Sequence, residues 1–228
     1  SDLVVHFHNQ SEFIMPARIC GFLRPCLLPE KDNTMEKDTM NCETAIARLR
    51  NGNAGYVKEL NAGEVEGIPL KPKTMCPFAV VVSCSDMNAT AEAVFGCEPG
   101  DLAVVRIAGN IVDGVVLGSV VLAVRRYACP VVVVLGHDRC ETIRTAMSSD
   151  AALIREPAPV IKMMERFREN VFDRGEHVIA HPDAVRANVR AGVGYIMEDS
   201  YIADRVRGGI LRVLPALYRH ETETVEWL

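Results

Sequence analysis

The 228-residue sequence has no excess of basic residues: 25 Lys and Arg against 30 Asp and Glu leave a net charge of −5. Without a basic footprint there is little to hold a phosphate backbone, so nucleic acid is not an expected partner. The sequence also lacks an apolar run approaching the ~18 residues that cross a bilayer, and no membrane-spanning helix is expected. An internal repeat, a low-complexity tract and a clear second domain are missing as well. The eight cysteines are too scattered, in a chain this long, to staple a small disulfide-rich fold. They point instead to a reducing, intracellular compartment, either the cytosol or an organelle such as a plastid or mitochondrion.

What is present is a hydrophobic fraction of 49%, enough for a sizeable core in one large domain. Residues 1–40 sustain no hydrophobic period and carry Pro16, Pro25 and Pro29, so they read as an arm or extension, with residues 41–228 as the domain. Cys20 and Cys26 have no histidine or further cysteine at ligand spacing, and His6 and His8 sit in the arm. From Asn41 to Leu60, Ala45, Ile46 and Leu49 followed by Asn51-Gly52-Asn53 predict an amphipathic helix ended by a glycine cap.

Two apolar β-forming runs dominate the centre, Phe78–Ser83 and Val131–Gly136, and their unbroken character suits parallel strands covered on both faces. A helix is predicted over Asn88–Phe95, a strand over Leu102–Arg106, and a helix over Val115–Tyr127. The β-branched content of that last segment favours strand by itself, but its place between two strands makes it a crossover helix. A helix starting near His137, a strongly periodic one around Val160, Met163, Met164, Phe167 and Val171, and another over Ala184–Met197 follow. A last strand over Gly209–Leu214 turns into Val225–Leu228. The fold class is therefore α/β, with a mostly parallel central sheet flanked by helices.

Each central run delivers soft metal ligands at its C-terminal end: Cys84-Ser85-Asp86 after the first, His137-Asp138-Arg139-Cys140 after the second. Zinc favours thiolate sulfur and imidazole nitrogen in a tetrahedral shell, and Cys84, His137 and Cys140 would fill three positions of it. His-x-x-Cys at the head of a helix puts two donors on one turn, and the helix N-terminus favours the thiolate form of Cys140. Strand C-terminal ends are also where ligands collect in open α/β sheets. Spacing alone leaves open that these are buried structural residues. His177, His181 and His220 have no partner at ligand spacing and read as surface or packing residues.

The pattern Cys84-Ser85-Asp86-Met87-Asn88 and Gly136-His137-Asp138-Arg139-Cys140 resembles that of the β-class carbonic anhydrases, a Cys-x-Asp-x-Arg strand end and a Gly-His-x-x-Cys strand end. The similarity extends through Leu49–Asn53, Pro99–Arg106 and Ala108–Asn110 to Gly209–Tyr218, covering roughly residues 40–228. It implies one Zn2+ per subunit and reversible hydration of carbon dioxide to bicarbonate by a zinc-bound hydroxide. Asp86 would orient the nucleophile, and the working unit would be a homodimer or higher homo-oligomer.

Several polar helpers of that chemistry are replaced here. The arginine of the Asp-Arg dyad is Asn88, and a neutral amide does not hold a carboxylate as a guanidinium fork does. Asp86 is thus freer to turn onto the metal as a fourth ligand, unless Arg106 or Arg139 substitutes for the missing guanidinium. A family glutamine aligns with Met75, the asparagine of the Arg-Asn-Ala-Gly-Asn segment becomes Ile107, two residues before Gly109, and a glycine becomes Glu141. Met75, Asn88, Ile107, Gly109 and Glu141 are the expected substrate-pocket residues, and they make it more apolar and differently charged. Two other functions stay open: a catalytically inactive zinc-binding homologue with an assembly or bicarbonate-sensing role, and a hydrolase of carbonyl sulfide or carbon disulfide.

Overall fold

The computed structural model describes residues 40–62, 75–172 and 180–228. Residues 1–39, with His6, His8, Cys20 and Cys26, and His177 in the segment 173–179 lie outside the described residues.

A five-stranded sheet forms the centre, in the order β2-β1-β3-β4-β5. The strands are β1 (Ala79–Cys84), β2 (Leu102–Ile107), β3 (Val131–His137), β4 (Arg212–Tyr218) and β5 (Val225–Trp227). All pairings are parallel except β4 with β5. The two apolar runs are central and adjacent, with every residue of both buried. Alternate side chains enter opposite layers: Val81, Val133 and Leu135 pack into one, and Val80, Val82, Val132 and Val134 into the other. The parallel register therefore brings both donor-bearing strand ends to the same edge of the sheet.

Helices cover both faces. They are α1 (Cys42–Ala62), α2 (Ala91–Val94), α3 (Gly114–Tyr127), α4 (Glu141–Ala146), α5 (Asp150–Leu153), α6 (Ala158–Phe172), α7 (His181–Met197) and α8 (Ser200–Arg207). The valine-rich crossover is helical: Asp113 caps α3 by accepting from the Val115 and Val116 N–H groups, and Val116, Val120 and Val124 pack against the sheet. Tertiary burial of that stripe overrides local β preference.

Four boundaries differ from expectation. The helix α1 does not stop at Gly52 but continues to Ala62. Gly52 is a contact glycine, since a Cβ there would lie 1.7 Å from the Phe95 carbonyl oxygen. Only the last part of Asn88–Phe95 is helical, because Thr90 caps α2 with its side-chain oxygen on the Ala93 N–H. Strand β3 runs on through His137, and α4 begins only after Cys140. The last parallel strand starts at Arg212 rather than Gly209, because Gly209 and Ile210 close α8 by donating to the Val206 and Arg205 carbonyls. That helix is not predicted by the sequence pattern.

Candidate metal centre

Cys84 ends β1, His137 ends β3, and Cys140 is the residue before α4. All three are at most 1% exposed. Asp86, two residues past β1, completes a four-residue cluster whose ligand atoms all lie within 4.8 Å of one another. Its Oδ1 is 2.7 Å from Cys84 Sγ, 2.6 Å from His137 Nε2 and 3.7 Å from Cys140 Sγ. The two sulfurs are 3.7 Å apart. Oδ2 is turned outward and accepts from the Thr142 N–H at 3.0 Å and the Thr142 hydroxyl at 3.1 Å.

The charges within the cluster are interdependent. A hydrogen bond from Cys140 pulls the Cys84 thiol down to about 5, against the opposing effect of burial. The same bond, with burial, pushes Cys140 up. The two sulfurs are in contact, and either can donate to the other; Cys84 also accepts the Gly109 N–H at 3.0 Å. Burial alone would raise Asp86, but hydrogen bonds from Cys84 and the Thr142 backbone bring it to about 2. Burial likewise works to depress His137, and the Cys84 and Asp86 charges overcome it and raise it.

Among the described residues, no guanidinium touches Asp86. Arg106 spends its donors on backbone carbonyls of the turn that follows β1, those of Cys84 at 3.1 Å, Ser85 at 3.3 Å and Met87. Arg139 and Asn88 are exposed. Neither arginine thus replaces the missing partner of Asp86. Of the expected pocket residues, Ile107 is the register partner of Cys84 and Gly109 donates to its sulfur. Met75 is half exposed, and Glu141 faces solvent in an ion pair with Arg144 at 3.1 Å.

Contacts invisible at the level of spacing surround the donors. His181 is not a bystander, because its Nε2 lies 2.9 Å from the Cys140 carbonyl oxygen. His220 is also more than a surface residue: its side chain is buried, its Nδ1 is 2.7 Å from Asp138 Oδ1, and its ring is 5.1 Å from the His137 ring. Thr142 gives no advance sign of its role. Asn188 does leave one, since it interrupts the apolar stripe of α7 next to Val185 and Val189 and is itself buried.

The geometry agrees with what the chain is similar to. A family model described as carbonic anhydrase matches residues 79–225, which contain all four clustered residues. The chain belongs to the β-class carbonic anhydrase family. Carbonic anhydrase 2 of Mycobacterium tuberculosis is 32% identical over 148 residues, 63% of this chain and 70% of that protein. A carbonic anhydrase of Mycolicibacterium smegmatis is 38% identical over 112 residues, 48% of this chain and 54% of that one. Among solved structures, the β-carbonic anhydrase CcaA aligns with a TM-score of 0.60 at 20% identity, covering 80% of this chain and 87% of its own. Tetrameric β-carbonic anhydrases of Sordaria macrospora align at 0.57 and 22%, covering 82% and 95%. At these identities the structures speak for the fold.

Zinc is the metal of β-carbonic anhydrases, and the residues here fit it. Two sulfurs, an imidazole nitrogen and a carboxylate oxygen form a donor set that zinc accepts, gathered in one place. Cys84, His137, Cys140 and Asp86 would hold it.

Proposed function

We propose that this chain catalyses the reversible hydration of carbon dioxide to bicarbonate, and that the form described is a resting one in which Asp86 takes the fourth donor position. The position of Asp86 Oδ1 among the other three donors carries the second half of that reading. The names of the relatives support the first half. Zinc held by Cys84, His137 and Cys140 would supply a nucleophile near neutral pH by acidifying water.

The protein's own part is to hold and release. Cys84, His137 and Cys140 are buried and fixed at strand ends, whereas Asp86 leaves by giving up its two bonds from Thr142. Turned away, Asp86 accepts a hydrogen bond from the attacking water and keeps a lone pair aimed at carbon. Ile107, the register partner of Cys84, packs its side chain against the other core layer. Asn88 and Glu141 are exposed and follow the donors Asp86 and Cys140 closely in the chain, whereas Met75 precedes the N-terminal end of β1, at the opposite edge of the sheet from the donors.

A second reading draws on the same observation. With no guanidinium among the described residues to hold Asp86 open and Thr142 holding it closed, the metal would only brace the fold. Stopped-flow hydration assays on the zinc-loaded protein separate the two. A rate above buffer that rises in Asn88→Arg, about 10-fold or more if one charge-assisted bond shifts the balance, supports the first. One equivalent of zinc with no rate above buffer, in either protein, leaves the brace; carbonyl sulfide serves as a parallel substrate.

We also infer a homo-oligomer. Val115 and Leu122 on α3 are well exposed, and among the described residues β2 lies at an edge of the sheet. None of the described cysteines forms a disulfide, which favours a reducing compartment.

A further inference from the structure

Gly109 contributes two groups to two different partners. Its N–H donates to Cys84 Sγ at 3.0 Å, and its carbonyl accepts from Asn188 Nδ2 at 2.7 Å. Its φ is +65°, in the left-handed region open to glycine. A glycine is the residue least able to hold its own peptide groups in one direction, so the aim of that N–H depends on what fixes the segment from outside. Among the described residues, the side chain that bonds the Gly109 carbonyl is Asn188, 1% exposed in the middle of α7.

The helix that carries Asn188 is well placed to be rigid. Gly136, just before His137, lets it approach β3 so closely that a Cβ at Gly136 would lie 2.5 Å from Val189 Cγ2. Two turns before Asn188, and so on the same face, His181 reaches the Cys140 carbonyl at 2.9 Å. One helix therefore bonds both the Cys140 carbonyl and the residue whose N–H donates to Cys84.

We propose that Asn188 is a positioning residue for the metal centre: by holding the Gly109 carbonyl it keeps the Gly109 N–H on Cys84 Sγ, and so sets the donor strength of that sulfur. A hydrogen bond to a metal thiolate withdraws electron density from sulfur, and such outer partners tune both affinity and electronic structure. The proposal rests on the metal assignment and not on the reaction, so a protein inert towards carbon dioxide still tests it.

The test compares wild type, Asn188→Ala and Ile196→Ala, the last removing buried packing from the same helix without touching Gly109. With cobalt in place of zinc, Asn188→Ala is expected to move the sulfur-to-metal charge-transfer band to lower energy. Chelator competition is expected to show zinc affinity reduced by roughly 10–100-fold. Ile196→Ala should leave both where they are in wild type. A lower melting temperature in Asn188→Ala with unchanged band and affinity overturns the proposal, as does an equal shift in Ile196→Ala.

Should the alanine variant fail to fold, the wild-type protein decides. Loaded with spin-active cadmium, it should show scalar coupling from the metal to the Gly109 N–H and from Asn188 Nδ2 to the Gly109 carbonyl carbon. Absence of either coupling refutes the relay. A wild-type protein that takes up no metal at all fails the metal assignment first, which is a separate and visible outcome.

Discussion

Three donors of the cluster and the fourth are held in different ways. Cys84, His137 and Cys140 are buried, and each sits at a strand end or the turn just beyond it, backed by the sheet and by α7. The Asp86 side chain is 29% exposed and, among the described residues, is fixed on its outer side by Thr142 alone. A donor embedded in the core moves only if the core does. A donor held by two hydrogen bonds at a surface exchanges them for water at small cost. The difference separates a permanent part of the centre from a removable one.

The largest expected effect follows from removing a permanent donor. Cys84→Ala or His137→Ala should abolish stoichiometric zinc, measured by elemental analysis after dialysis, whereas Asp86→Ala should retain it. Loss of zinc in Asp86→Ala as complete as in Cys84→Ala would erase the distinction.

Next come the supports of the fixed side. Leu135→Ala empties a fully buried position on β3 and should cost about 2–5 kcal/mol in denaturant unfolding. Gly136→Ala drives a methyl towards Val189 Cγ2 and should cost about 1–3 kcal/mol. On the removable side, Thr142→Val deletes one of the two side-chain and backbone bonds to Asp86 Oδ2. It should change stability by only about 1 kcal/mol while raising the carbon dioxide hydration rate; an unchanged rate with zinc bound counts against Asp86 as the gate.

The smallest effect is expected far from the centre. Glu226 bonds Arg186 at 2.7 Å and Arg219 at 2.7 Å, and these hydrogen bonds, Arg186 first, lower its pKa. A carboxylate depressed on folding adds stability above its unfolded pKa and loses it as pH falls through the folded one. With all partners partly exposed, the contribution is about 0.2–1 kcal/mol. The melting difference between wild type and Glu226→Gln should therefore be small at neutral pH and vanish in acid.

The division between fixed and movable parts also marks what was legible in the sequence. Val-rich runs ending in Cys84 and His137 announce buried parallel strands and their donors, because burial on both faces leaves a local trace. The contest over Asp86 was legible too, in Asn88 standing where a guanidinium is expected. Its outcome was not, because Arg106 is drawn to carbonyls of its neighbouring strand end and Thr142 comes from a different turn. Gly52 misled as a cap because its reason is Phe95, a contact made across the fold. His181 and Asn188 act on groups distant in the chain, Cys140 and Gly109, through packing that no spacing rule encodes. Only the polar break that Asn188 makes in an apolar stripe pointed to it.

The removable fourth donor is tested most directly by a crystal structure of the zinc-loaded protein near neutral pH. The account predicts Asp86 Oδ1 in the fourth position, with Oδ2 still accepting from Thr142 N–H and Oγ1. Asp86 turned away from a metal held by Cys84, His137 and Cys140, with both Thr142 bonds broken, would contradict it.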